Sequence, residues 1–119
     1  MGQLTTHVLD ISAGVPASGL RIQIEQWPPS CATSSQAVVA TTGLDGRLPA
    51  PLLSGADMRT GQYLLTFHIA HYFRGRGVVL PQPAFIEEAV IRIGIADPAQ
   101  HYHVPLLIAP WSYCVYRGG

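Results

Sequence analysis

The last nineteen residues, 101–119, constrain this chain more than any other stretch. Residues 104–108, Val-Pro-Leu-Leu-Ile, are an unbroken apolar run, which reads as a strand buried on both faces. His101 and His103 lead into that run, and Tyr116 and Arg117 lie close to the chain end. Terminal segments usually fray. This one reads as tied into a core, with polar chemistry at its edges.

The segment has a geometry that can be worked out residue by residue. Ala109-Pro110-Trp111-Ser112 is a turn signal between two strand-like runs, so a hairpin is expected. Folding about Pro110 and Trp111 sets Leu107 against Cys114, Pro105 against Tyr116 and His103 against Gly118. Side chains alternate faces along a strand. His103, Pro105, Leu107, Cys114 and Tyr116 are therefore expected on one face. Half apolar and half reactive, that face suits a pocket lining better than a core.

The rest of the chain reads as short strands between turn clusters. Strands are expected over residues 4–10, 20–27, 37–42, 47–48, 62–69 and 85–95. In the second of these Leu20, Ile22 and Ile24 alternate with Arg21, Gln23 and Glu25, the mark of a half-buried strand. In the sixth, Val90 and Ile91 interrupt the alternation. Residues 12–19, 28–35 and 49–60 read as loops, and residues 70–75 as one helical turn ended by Gly75. With the terminal hairpin this makes eight short strands and at most one helix, an all-β sandwich in a single domain over residues 1–119.

Composition narrows the chemistry. The 48% apolar and 12% charged content excludes a disordered chain and suggests that some surface is hidden in an oligomer. Seven arginines balance seven acidic residues, so no basic footprint for nucleic acid stands out. There is no lysine, which removes Schiff-base chemistry and phosphate-loop lysines. The two cysteines, Cys31 and Cys114, make neither a disulfide framework nor a zinc knuckle, and free thiols fit a reducing compartment. No signal-peptide pattern stands out and no run reaches the ~18 apolar residues of a membrane span. The expectation is a cytoplasmic protein without membrane contact.

Read together, Thr6-His-Val-Leu-Asp10, Asp45-Gly-Arg47, Gly61-Gln-Tyr63, Ala96-Asp-Pro98, His101-Tyr-His-Val-Pro-Leu-Leu107 and Tyr116-Arg-Gly118 resemble the 5-hydroxyisourate hydrolase family of transthyretin-like proteins. The resemblance spans nearly the whole chain in one order. It implies a transthyretin-like sandwich of two four-stranded sheets with one short helix. It implies a homotetramer with sites at the dimer–dimer interface. It also implies metal-independent hydrolysis of 5-hydroxyisourate to 2-oxo-4-hydroxy-4-carboxy-5-ureidoimidazoline, a step of urate catabolism, with no cofactor. The family's catalytic positions fall on His7, Arg47 and His103. Tyr116, Arg117 and Gly118 match its terminal Tyr-Arg-Gly signature, Gly119 follows them, and Pro105 and Cys114 join these four on the substrate side through the hairpin face. This chain departs from the pattern twice: Gly119 stands where the family ends in serine, and Cys114-Val115 stands for its serine-threonine pair.

The residue types suit that chemistry. Opening an electron-poor bicyclic lactam needs an activated water, a stabilised tetrahedral oxyanion and a protonated ring nitrogen. Histidine titrates near neutrality and serves as base or acid. Arginine stays charged and offers a planar fork of donors to an oxyanion. His101 is expected at the rim, and His68 and His71 in structural roles. One alternative is a transthyretin-like binding protein without catalysis, which His7, Arg47, His103 and Tyr116 oppose. Another is a zinc enzyme using His101, His103 and His7, which lacks a nearby carboxylate or cysteine in sequence.

Overall fold

Alternation is plain in the first element. In β1 (Gln3–Asp10), Leu4, Thr6, Val8 and Asp10 are buried, whereas Thr5, His7 and Leu9 are half-buried on the opposite face. The computed structural model describes residues 2–28 and 38–118. Cys31, most of the loop expected over 28–35, and Gly119 lie outside them.

Two sheets pack face to face. The first has the order β2-β1-β8-β9, with β2 at Val15–Pro16, β8 at Tyr102–Ala109 and β9 at Ser112–Val115. A two-residue strand, β5 (Leu53–Ser54), also pairs with β1 and brings this sheet to five strands. The second sheet has the order β4-β3-β6-β7, with β3 at Arg21–Trp27, β4 at Val38–Thr41, β6 at Gly61–Phe67 and β7 at Ala89–Ile95. Leu4, Val8, Leu106 and Ile108 from one sheet meet Ile22, Ile24, Leu65 and Phe67 from the other in one apolar core. The one α-helix among the described residues, α1 (Ile69–Gly75), buries Ile69, Tyr72 and Phe73 in the same core.

The terminal hairpin adopts the register its sequence dictates. Leu107 pairs with Cys114, and His103 forms a bridge with Gly118. The Tyr116 N–H donates to the Pro105 carbonyl at 3.4 Å. The apolar run is buried on one face rather than two: Tyr102, Val104, Leu106 and Ile108 are buried, while His103, Pro105 and Leu107 are half-buried.

Four expected elements shift, the first being the loop over 49–60, which contributes β5 beside β1. The strand at 47–48 shrinks to a single bridge between Arg47 and His7, because that segment docks on β1 through a turn rather than a ladder. The loop over 12–19 contributes β2, since Val15 and Pro16 come back beside Asp10 and Leu9. The strand over 85–95 starts only at Ala89. Before it, Glu87 binds the Ala84 N–H and its carbonyl accepts from Ala70, so that backbone serves the helix instead of the sheet. Within β7, Ala89 turns to the core and Val90 outward, so the apparent interruption keeps its alternation.

A buried carboxylate joins helix to sheet. Asp10, 1% exposed, accepts from the Ser12 N–H at 3.0 Å, the Ala13 N–H at 3.1 Å, the Ser12 hydroxyl and, at 3.0 Å, the Tyr72 hydroxyl. Arg76 Nε lies 3.9 Å from the same carboxylate. Burial first, then the bond to Asp10, holds the Tyr72 phenol above its ordinary 10.0, so it donates as a neutral group. Asp10→Ala removes the acceptor of four donors at once. It should cost about 2–4 kcal/mol in urea unfolding, against about 1 kcal/mol for Tyr72→Phe. A loss within about 0.5 kcal/mol for Asp10→Ala would contradict this latch.

Candidate active site

The site grows from the parallel pairing of β1 with β8. Thr5 lies opposite His103, and His7 opposite Pro105. All four belong to the half-buried face that points away from the core. Two strands from opposite ends of the chain thus set both histidines on one surface of one sheet.

Arg47 reaches that surface through a turn that docks on β1. The Gly43 N–H donates to the Arg47 carbonyl at 2.8 Å, and the Gly46 N–H to the Gly43 carbonyl at 2.9 Å. The Asp45 carboxylate accepts the Arg47 N–H at 3.0 Å. Gly46 has φ +77°, and a Cβ there would come within 2.4 Å of the Val8 carbonyl oxygen. Only glycine lets the turn approach so closely, and the Val8 N–H seals it by donating to the Gly46 carbonyl at 3.0 Å. Each residue of Asp45-Gly46-Arg47 therefore has its own task.

The same turn orients His7. Its Nε2 lies 2.9 Å from the Asp45 carbonyl oxygen. A carbonyl can only accept, so Nε2 carries the proton and Nδ1 is the bare nitrogen of the neutral ring. His103 is held differently, with its Nδ1 2.8 Å from the Thr5 hydroxyl oxygen. Burial first, then the positive charge of Arg47 and the neighbouring His101 and His7, keeps His103 below the ordinary 6.5. At neutral pH it is an uncharged imidazole.

Thr5, Arg47, His101 and His103, together with residues 48–51, line an open cleft of about 430 Å³. A neutral imidazole and a guanidinium facing one cleft can take a proton from water and stabilise an oxyanion. Among the described residues, no three His, Cys, Asp or Glu side chains converge as a metal set would.

The tail divides its residues. Gly118 packs on the site: its N–H donates to the His103 carbonyl at 2.7 Å, and a Cβ there would lie 2.8 Å from His103 Cδ2 and 3.2 Å from Pro105 Cγ. Tyr116 and Arg117 line a separate groove of about 330 Å³ with Ile91, Ile93 and Val104. The Arg117 guanidinium lies 4.1 Å above the Tyr102 ring and donates to Gln100 Oε1 and the His101 carbonyl at 3.1 and 3.2 Å. Cys114 is exposed and lies outside the cleft lining. His68 is engaged elsewhere, with Gln23 and Glu88. Sequence reasoning missed Thr5 and the Asp45 carbonyl. Only the β1–β8 register and the docked turn reveal them.

This is a β-sandwich that carries a histidine–arginine set on the outer face of one sheet. A family model described as HIUase/Transthyretin matches residues 4–118, and the chain belongs to that family. A protein of Pseudomonas aeruginosa described as 5-hydroxyisourate hydrolase is 48% identical, over 99% of this chain and 92% of its own. The solved structure of Klebsiella pneumoniae 5-hydroxyisourate hydrolase is 31% identical, with a TM-score of 0.79 over the whole of both chains. The structure of an (S)-allantoin synthase is 39% identical with a TM-score of 0.90, and this chain covers 44% of it.

Gly118→Ala should displace the His103 ring and lengthen its bond to Thr5, because the added methyl meets that ring at 2.8 Å. Moved His103 imidazole resonances, or a crystal structure of the variant, would register it. An unmoved ring would contradict the packing role of the tail.

Proposed function

We propose that this protein is a hydrolase that opens 5-hydroxyisourate in urate breakdown, using His7, Arg47 and His103 without a metal or cofactor. The observation that carries this reading is the single outer face on which a neutral imidazole, a tautomer-fixed imidazole and a guanidinium stand together. The full-length relative of Pseudomonas aeruginosa with the same activity name supports it. A carrier of apolar ligands has no use for such a set.

The chemistry divides among the residues. The bare ring nitrogen of His103 draws a proton from water as it attacks the lactam carbonyl, and the bare nitrogen of His7 orients that water. The Arg47 guanidinium neutralises the oxyanion that forms. The proton then passes to the leaving ring nitrogen. Pro105 and Gly118 wall the His103 ring.

The working unit of this proposal is a homotetramer whose sites lie between dimers. Pro105 and Leu107 are only half-covered on the site face. Tyr113 and Tyr116 are exposed, and β7 and β9 each end their sheet with an open edge. A second copy covers such a face and such edges most simply. Tyr116, Arg117 and Cys114 then meet the substrate channel through assembly rather than within one chain. The exposed Cys114 thiol suits the reducing cytoplasm.

The test generates 5-hydroxyisourate from urate with urate oxidase and follows its decay. Purified protein should accelerate decay in the presence of a chelator. His7→Ala, Arg47→Ala and His103→Ala should each lower kcat by roughly 10²-fold or more. Decay at the spontaneous rate with folded protein would refute the assignment. A fully active monomer in light scattering would refute the shared site.

A further inference from the structure

We propose that Thr5 is a positioning residue that joins His101 and His103 into one proton-sharing unit. The proposal deepens the hydrolase reading and rests on it. Its basis is geometric. The Thr5 hydroxyl oxygen lies 2.8 Å from His103 Nδ1 and 3.3 Å from His101 Nε2. A hydroxyl has one proton to give and lone pairs with which to accept. Between two imidazole nitrogens it donates to one ring and accepts from the other, so the protonation of each ring is set by its partner.

The neighbourhood gives the direction. His103 is half-buried and His101 exposed. Arg47 from the docked turn, His7 from β1 and His101 itself all oppose a positive charge on His103. Arg117 holds the carbonyl of His101 at 3.2 Å and fixes the backbone beside that exposed ring. Charge taken up at His103 is therefore better placed on His101, where water solvates it.

The steps balance. In the resting site His103 Nδ1–H donates to the Thr5 oxygen, and the Thr5 hydroxyl donates to His101 Nε2. His103 Nε2 is then bare and open to the cleft. When Nε2 takes a proton from the attacking water, the Nδ1 proton moves to the Thr5 oxygen as the hydroxyl proton moves to His101 Nε2. His103 is left neutral with Nε2–H, and His101 becomes the imidazolium. When Nε2–H goes to the leaving ring nitrogen, both transfers reverse. One hydroxyl lets the same imidazole act first as base and then as acid without holding a charge beside the Arg47 guanidinium.

Two measurements test the relay. The first is ¹⁵N NMR of histidine-labelled, substrate-free protein. Wild type should show His103 protonated at Nδ1 near neutrality, and His101 and His103 should titrate as a coupled pair. In Thr5→Val, which keeps the side-chain shape, they should titrate independently. The second is the rate on 5-hydroxyisourate. Thr5→Val should lower kcat roughly tenfold with KM changed less than about twofold. Thr5→Ser should restore most of the loss, and His101→Ala should cost little more when added to Thr5→Val. Wild-type His103 with a bare Nδ1 would overturn the proposal even if Thr5→Val failed to fold. So would an unaltered titration or rate in Thr5→Val, or no recovery in Thr5→Ser. An inactive wild type with coupled titrations would instead count against the hydrolase reading and leave the Thr5 bridge standing.

Discussion

The parallel pairing of β1 with β8 is the interaction on which the rest of this structure depends. It joins the first strand of the chain to the penultimate one. Its buried side brings Leu4, Val8, Leu106 and Ile108 into the core, and Thr6 ties the two strands further by donating to the Val104 carbonyl at 2.7 Å. Its outer side sets Thr5 against His103 and His7 against Pro105. Stability and site geometry are two faces of one ladder. Because strand side chains alternate strictly, a slip of one residue would exchange them.

What the ladder cannot supply, a docked turn and a tail supply. Arg47 belongs to neither strand, yet it lies beside His7 because Gly46 lets the turn press its backbone on Val8. The turn also contributes the Asp45 carbonyl that fixes the His7 tautomer. On the other flank, Gly118 leaves room for the His103 ring and holds its carbonyl. The polar groups are oriented by backbone atoms that the fold places rigidly, and a site held in this way needs little reorganisation when charge develops. Tyr102 extends the pattern, since its hydroxyl accepts from the Ala96 and Asp97 N–H groups at 3.2 Å and anchors the turn that leads into His101 and His103.

How much of this was legible in the sequence depends on the range of the interaction. The hairpin register of Leu107 with Cys114 and His103 with Gly118 followed from local parity about Pro110 and Trp111, and the structure has it. The two-sheet sandwich followed from strand count and from motifs. Thr5 could not be read, because its meaning comes from a partner ninety-eight positions away. Tyr116 and Cys114 were read by parity onto the cleft face. In the single chain Tyr116 opens on the groove beside β7, because the tail leaves the ladder after Val115; Cys114 keeps its place opposite Leu107 and is exposed on this edge strand. The two-residue strands β2 and β5 were hidden for a similar reason: two residues carry no periodicity.

The central claim is that this fold keeps His103 an uncharged imidazole, ready to take a proton, by partly burying it beside Arg47. The pH dependence of kcat/KM for 5-hydroxyisourate, corrected for spontaneous decay at each pH, tests it most directly. His103 sits below the ordinary histidine value of 6.5, so lowering the pH protonates it only at more acidic pH than usual, and the neutral form persists through neutrality. The account predicts a rate that holds near neutrality and falls only on the acid side, with a midpoint below 6.5 that moves upward when Arg47→Gln removes the neighbouring charge. A midpoint at or above that value, or one indifferent to Arg47, would contradict it.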